Sequence, residues 1–186
     1  HCKRRKAPGP DKITTDFLKD LDEENLDLLY DLLLEMWNTE NFPDDLAFAT
    51  MASLYKKGDP LNLENYRPIS LLNSFYKIIA GAIQKKLAKC VDEELQDTQF
   101  GFRKGRSTSQ AIHIIRRIQE HVEKSSFNSK IILLDWEKAF DKLEQDVMFK
   151  CLEWHGIKGK LLNLIKKLYA HPSFSVNIEG TSSNFK

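Results

Sequence analysis

Apolar residues recur every three or four positions from Asn25 to Thr39, placing Leu26, Leu29, Leu32, Leu33, Met36 and Trp37 at helical spacing. That period predicts an amphipathic helix with an acidic outer face, ended by a loop that contains Pro43. Ala47 to Tyr55 reads as a strand, stopped by the turn Lys57-Gly58-Asp59-Pro60. Asn73 is a good N-cap for a long helix running to about Leu95, with Phe75, Ile79, Ile83 and Leu87 on one face. Gly101 and Gly105 break the next segment. Ser107 or Thr108 then starts a helix with Ile112, Ile115, Ile118 and Val122 inward.

After the polar turn from Ser125 to Ser129 comes the run Ile131-Ile132-Leu133-Leu134. It is short and β-branched at its start, which predicts a strand buried on both faces and ending at Asp135. Two helices are expected near Gln145 to Trp154 and Gly159 to Tyr169, separated by His155-Gly156. Pro172 precedes an alternating strand, Phe174 to Ile178, and Glu179-Gly180 is the expected hairpin turn. The sequence stops at Lys186 in the returning strand, which would leave an unpaired edge. It also begins with His1 in place of Met, so a piece of a longer protein is expected.

Composition narrows the class. With 186 residues, 41% hydrophobic and 30% charged, the chain has the make-up of an ordinary globular protein and shows no repeat or low-complexity tract. No apolar run approaches the ~20 residues that cross a bilayer, and HCKRRKAPGP is not a secretory signal. Cys2, Cys90 and Cys151 lie far apart with no CxxC pair, so neither a zinc site nor a disulfide framework is expected. A reducing intracellular compartment fits that usage. The net charge of +1 hides an asymmetry: from Asp16 to Asp45 there are eleven acidic residues and one basic. Basic clusters recur elsewhere, at Lys3 to Lys6, Lys56–Lys57, Lys85–Lys86, Arg103 to Arg106, Arg116–Arg117 and Lys166–Lys167. Charge alone leaves two readings open, solvated helix faces or a polyanion-binding surface.

The segment with the most chemistry is LDWEKAFD, residues 134–141. A strand that delivers Asp135 at its C-terminal end sets a carboxylate at a sheet rim, where phosphoryl-transfer enzymes place magnesium ligands. Phe140 can fold over the same pocket, and Asp141 can cap the following turns. Taken alone, Asp135 reads more readily as a strand-ending or capping residue, and Phe140 as core.

The ordered series KAPGPDKI (6–13), LYKKGDP (54–60), NYRPISLLN (65–73), QFGFRKGRST (99–108) and LDWEKAFDKL (134–143) changes that. Together these segments closely resemble the reverse transcriptases of LINE-like, non-LTR retrotransposons, and more distantly those of group II introns. The resemblance implies an α+β chain with a right-hand polymerase fold. Residues 1–45 would form an N-terminal extension, 46–128 helical fingers, and 129–186 the first part of an antiparallel palm sheet, truncated. It implies that Asp135 is the first catalytic aspartate and a ligand for two Mg2+ ions, aided by the backbone carbonyl of Trp136. Phe140 matches the aromatic steric gate that excludes a 2′-hydroxyl. Arg67 matches the fingers arginine on the incoming triphosphate, with Lys56 or Lys57 as a second phosphate contact. Gly101, Arg103 and Arg106 resemble the loop that tracks the template strand. KAPGPDKI either helps position template or is a plain N-terminal turn, in which Asp11 could cap a short helix.

The implied partners are an RNA template, a DNA primer and deoxynucleoside triphosphates, with nuclear action if the source is a eukaryote. Two metal ions need more than one carboxylate, yet the single Asp-Asp pair, Asp44-Asp45, lies in the acidic region and in the wrong order. The expected aromatic-x-Asp-Asp hairpin, RQG-type segment and thumb are missing, so the chain alone is expected not to polymerise. The rival readings are a non-catalytic RNA-binding remnant and a maturase-like RNA-binding protein.

Overall fold

The computed structural model describes residues 4–125, 128–178 and 181–185. It is a mixed helical and sheet structure. Helices α1 (Thr15–Lys19) and α2 (Glu23–Thr39) precede strand β1 (Phe48–Tyr55) and strand β2 (Tyr66–Leu72). Helices α3 (Ser74–Val91), α4 (Thr108–Ser125), α5 (Gln145–Trp154) and α6 (Gly159–Ala170) follow, then β3 (Ser173–Ile178) and β4 (Thr181–Phe185). Among the described residues no helix is long and apolar enough to cross a membrane. Cys90 and Cys151 are free, exposed thiols; Cys2 lies outside the described residues.

One four-stranded sheet has the order β2-β1-β3-β4. β1 runs antiparallel to β2, with Ala49 opposite Leu72 and Tyr55 opposite Tyr66. It runs parallel to β3, with Phe48 opposite Ser173 and Met51 opposite Val176. β3 and β4 pair antiparallel with Ile178 opposite Thr181; the expected turn residues Glu179 and Gly180 lie outside the described residues.

The core lies where α2, α3 and α6 meet. Ile79 and Ile83 of α3 are buried with Leu162, Leu164, Ile165 and Leu168 of α6, and Leu33, Met36 and Trp37 of α2 pack against them. The four-residue spacing of Phe75, Ile79, Ile83 and Leu87 therefore did mark a buried face. Only the C-terminal part of α2 docks, because Leu26 and Leu32 remain 42% exposed. The α5–α6 junction closes on Gly156, at φ +77, where a side chain would be strained. There the Ile157 N–H donates to the Leu152 carbonyl (2.9 Å) and the Gly156 N–H to that of Glu153 (3.0 Å), and Ile157 plugs into the core.

The N-terminal segment 6–13 is a brace for α3. Asn73 occupies the N-cap position but makes no side-chain cap bond. Its Oδ1 accepts from the Asp11 N–H (3.2 Å), and its Nδ2 donates to the Asp45 carbonyl (3.2 Å). Asp11 supplies the cap instead: its Oδ2 accepts from the Ser74 N–H (3.3 Å), while the fully buried Ser74 hydroxyl donates to the Ile13 carbonyl (2.6 Å). Asp11 thus caps the long α3, whereas the short α1 is capped by Thr14, whose Oγ1 accepts from the Phe17 N–H (3.1 Å).

Two expectations fail together. Residues 131–134 are not a buried strand: they are irregular, and Ile132, Leu133 and Leu134 are 81–87% exposed. α4 forms as expected, but Ile112, Ile115 and Ile118 face solvent and no residue of the helix is buried. The physical reason is pairing. A strand is stable only with a ladder partner, and residues 131–134 belong to no strand of the sheet.

Candidate nucleotide and template site

The tip of the β1–β2 hairpin is tightly built. The Lys56 N–H donates to the Asn65 carbonyl (2.8 Å), extending the ladder one step past β1. Asn65 Nδ2 donates to the Asp59 carbonyl (2.9 Å), the Tyr55 hydroxyl to that of Gly58 (2.6 Å) and the Tyr66 hydroxyl to that of Pro60 (2.9 Å). The rings of Tyr55 and Tyr66 meet at 5.6 Å. On this frame Lys56, Lys57 and Arg67 are all exposed, and among the described residues none has an acidic partner. Arg67 lies opposite Leu54. Because strand side chains alternate, Lys56, two residues beyond Leu54, continues the face that carries Arg67.

The GFRKGR loop follows α3 and divides its labour. Arg103 has a side chain only 9% exposed, and its guanidinium is already occupied. Nε donates to Asp92 Oδ1 (2.9 Å), Nη2 to the Asp92 carbonyl (2.9 Å) and Nη1 to the Gln96 carbonyl (2.9 Å). This satisfies carbonyls left open where α3 stops, and the helix ends at Val91, short of the expected Leu95. The same hydrogen bonds hold the Asp92 carboxyl below its usual range and raise the Arg103 guanidinium. Arg103, expected at template phosphates, therefore positions the loop, and its donors are spent on the protein itself. Arg106 is more available: it meets the almost fully exposed Asp97 at 2.9 Å and lies 6.0 Å from the Phe100 ring. A cavity of about 520 Å³ opens beside it, lined also by Phe100, Gln110 and His113. Gly101 accepts through its carbonyl from Gln99 Nε2 (3.2 Å) and is itself exposed.

The third group is the segment around Asp135. Asp135, Trp136 and Phe140 are exposed, the two rings at 82% each. The turn that carries Phe140 is closed by the Lys142 N–H donating to the Lys138 carbonyl (3.0 Å) and by a Lys142–Glu137 ion pair (2.9 Å). Among the described residues Asp141, expected as a cap, accepts no backbone bond, and the N-cap of α5, Glu144, makes no side-chain cap bond either. No hydrogen bond or ion pair among the described residues joins the hairpin tip, the GFRKGR loop and this segment. Nor does any group of three or more His, Cys, Asp or Glu side chains gather into a metal-sized cluster there. The described residues do not by themselves make up a magnesium site. Sequence reasoning gave Asp11 a short helix to cap and not α3, and missed the Asp92 anchor, because each joins segments whose contact no local pattern encodes.

A sequence profile of the family "Reverse transcriptase (RNA-dependent DNA polymerase)" matches residues 55–186. The chain is 31% identical, over 92% of its length, to the probable RNA-directed DNA polymerase from transposon BS of Drosophila melanogaster. It is 34% identical over 76% of its length to the retrovirus-related Pol polyprotein from type-1 retrotransposable element R1 of Bradysia coprophila. To the RNA-directed DNA polymerase from mobile element jockey of Drosophila funebris it is 28% identical over 99%. The matches cover only 18%, 14% and 20% of those proteins.

Proposed function

The chain belongs to the reverse transcriptase family, on its non-LTR retrotransposon branch, and from that premise we propose that it serves RNA-templated DNA synthesis within a longer polypeptide. In this reading residues 46–128 are fingers and 129–186 the start of the palm. The observation that carries it is the hairpin tip. Three cations without acidic partners among the described residues, on a hairpin fixed by four hydrogen bonds, form a preorganised polyphosphate contact. Arg67 would grip a triphosphate through two parallel N–H bonds. The shared face makes Lys56, and not Lys57, its companion.

Phe140 is the proposed sugar-sensing ring, and Arg106 and Gly101 the proposed template contacts, with a DNA primer and deoxynucleoside triphosphates as the remaining partners. Asp135 and the Trp136 carbonyl would hold Mg2+ together with further oxygen ligands, since among the described residues no group of three metal-ligating side chains gathers there. The 186-residue chain alone is accordingly inactive.

The test is primer extension on an RNA template by a longer polypeptide that contains this chain. Arg67→Ala and Lys56→Ala raise KM for deoxynucleoside triphosphates about tenfold or more, and Lys57→Ala changes it little. Phe140→Ala admits ribonucleotides. Unchanged kinetics in Arg67→Ala would sink the assignment. Extension by the 186-residue chain alone would refute its inactivity.

A further inference from the structure

Phe102 is the residue that the fold spends on nothing inside itself. Its ring is 97% exposed, the most open large apolar side chain among the described residues, and its backbone sits at φ +61. A bulky side chain in the left-handed region is rare, because Cβ crowds the following carbonyl. Glycine would sit there without strain, and glycines stand nearby at Gly101 and Gly105. Strain of this kind persists only where the surroundings impose it. Here they do: Arg103, the next residue, is locked to Asp92 and Gln96, and Gly101 is held by Gln99 on the other side. The loop, anchored through Arg103, presents one aromatic ring to solvent.

The chemistry around the ring identifies what it meets. Two residues on, Lys104 is exposed and without an acidic partner among the described residues, and Arg106, paired with the exposed Asp97 (2.9 Å), borders a cavity with Phe100. An exposed aromatic set among cations is the recurrent way to hold single-stranded nucleic acid, since every base has a face to stack while cations take the phosphates. We infer that Phe102 is a stacking platform for an unpaired nucleobase, with Lys104 and Arg106 on the flanking phosphates. The inference rests on the reading of this loop as a template contact and adds the residue that engages the base.

The experiment measures binding of the 186-residue chain to a single-stranded RNA carrying one 2-aminopurine, by fluorescence, with thermal melting in parallel. Phe102→Gly is expected to raise the melting temperature, because the strain is relieved, and to weaken RNA binding on the order of tenfold. Phe102→Trp keeps the affinity. The salt dependence is unchanged in both, whereas Lys104→Ala makes it shallower. Opposite movements of stability and affinity in Phe102→Gly separate stacking from a structural role. Phe102→Gly binding as tightly as the parent overturns the stacking inference while leaving the template reading intact. A parent chain with no salt-dependent RNA affinity overturns both. A ring that docks a protein segment and no base would show itself as the first of these results.

Discussion

Replacing Gly9 by alanine adds one methyl group where the backbone of another segment already stands. A Cβ at that position would lie 2.5 Å from the Asn73 nitrogen and 2.5 Å from the carbonyl carbon and oxygen of Leu72, where ordinary contact begins at 3.4 Å. All three are main-chain atoms at the junction of β2 and α3, so no side chain can swing aside. The segment 6–13 must retreat by nearly an ångström. That displaces the bond from Ser74 N–H to Asp11 (3.3 Å) and the bond from Asp11 N–H to Asn73 (3.2 Å). Overpacking costs about 1–3 kcal/mol, and loss of a helix cap about 1 kcal/mol. Together they come to about 2–4 kcal/mol, a large share of the roughly 5–15 kcal/mol that holds a domain. For a chain of this length the melting temperature should fall by about 5–15 °C. Thermal and urea denaturation followed by circular dichroism measure it, with Gly81→Ala as the control. Gly81 lies inside α3, and a methyl group added there would meet nothing within 4 Å, so alanine should stabilise by about 0.5–1 kcal/mol. If Gly9→Ala melts within about a degree of the parent, the N-terminal segment is not packed on α3 and the bracing account is wrong.

Leu164 is fully buried at the meeting point of the helices, and Leu164→Ala should cost about 2–5 kcal/mol in the same urea titration. Asp135→Asn should leave the stability of this chain within about 0.5 kcal/mol, since the side chain is exposed; the same change should abolish synthesis by a longer active polypeptide. The Asp92 carboxyl is depressed by its Arg103 hydrogen bonds, so its contribution is present above the ordinary aspartate value of about 3.9 and is lost as pH falls through the depressed value. Arg103→Gln should remove that contribution, so that its melting deficit against the parent is largest at neutral pH and shrinks on acidification. A deficit that grows on acidification would contradict this.

The elements that were legible from the sequence are those whose signal is local. α3 shows its buried face in a four-residue spacing, β1 ends at a Gly-Asp-Pro turn, and the α5–α6 break is written as a glycine at a position that needs φ +77. The candidate site was legible as segments, because each motif is contiguous and the five stand in a fixed order. The partners of Arg103 were not legible for the same reason: an arginine in a glycine-rich basic loop looks the same in sequence whether its fork meets a phosphate or a helix end.

By itself the sequence determined the family and most helices and strands, since periodicity, turn chemistry and motif order depend on neighbours a few positions apart. Tertiary structure alone decided which partners those elements found. It set β1 beside β3, gave α3 its cap from Asp11 sixty-three residues away, and left residues 131–134 and the apolar stripe of α4 uncovered. A hydrophobic pattern states that a face gains from leaving water, but whether anything covers it depends on chain segments distant in sequence, which no local period records.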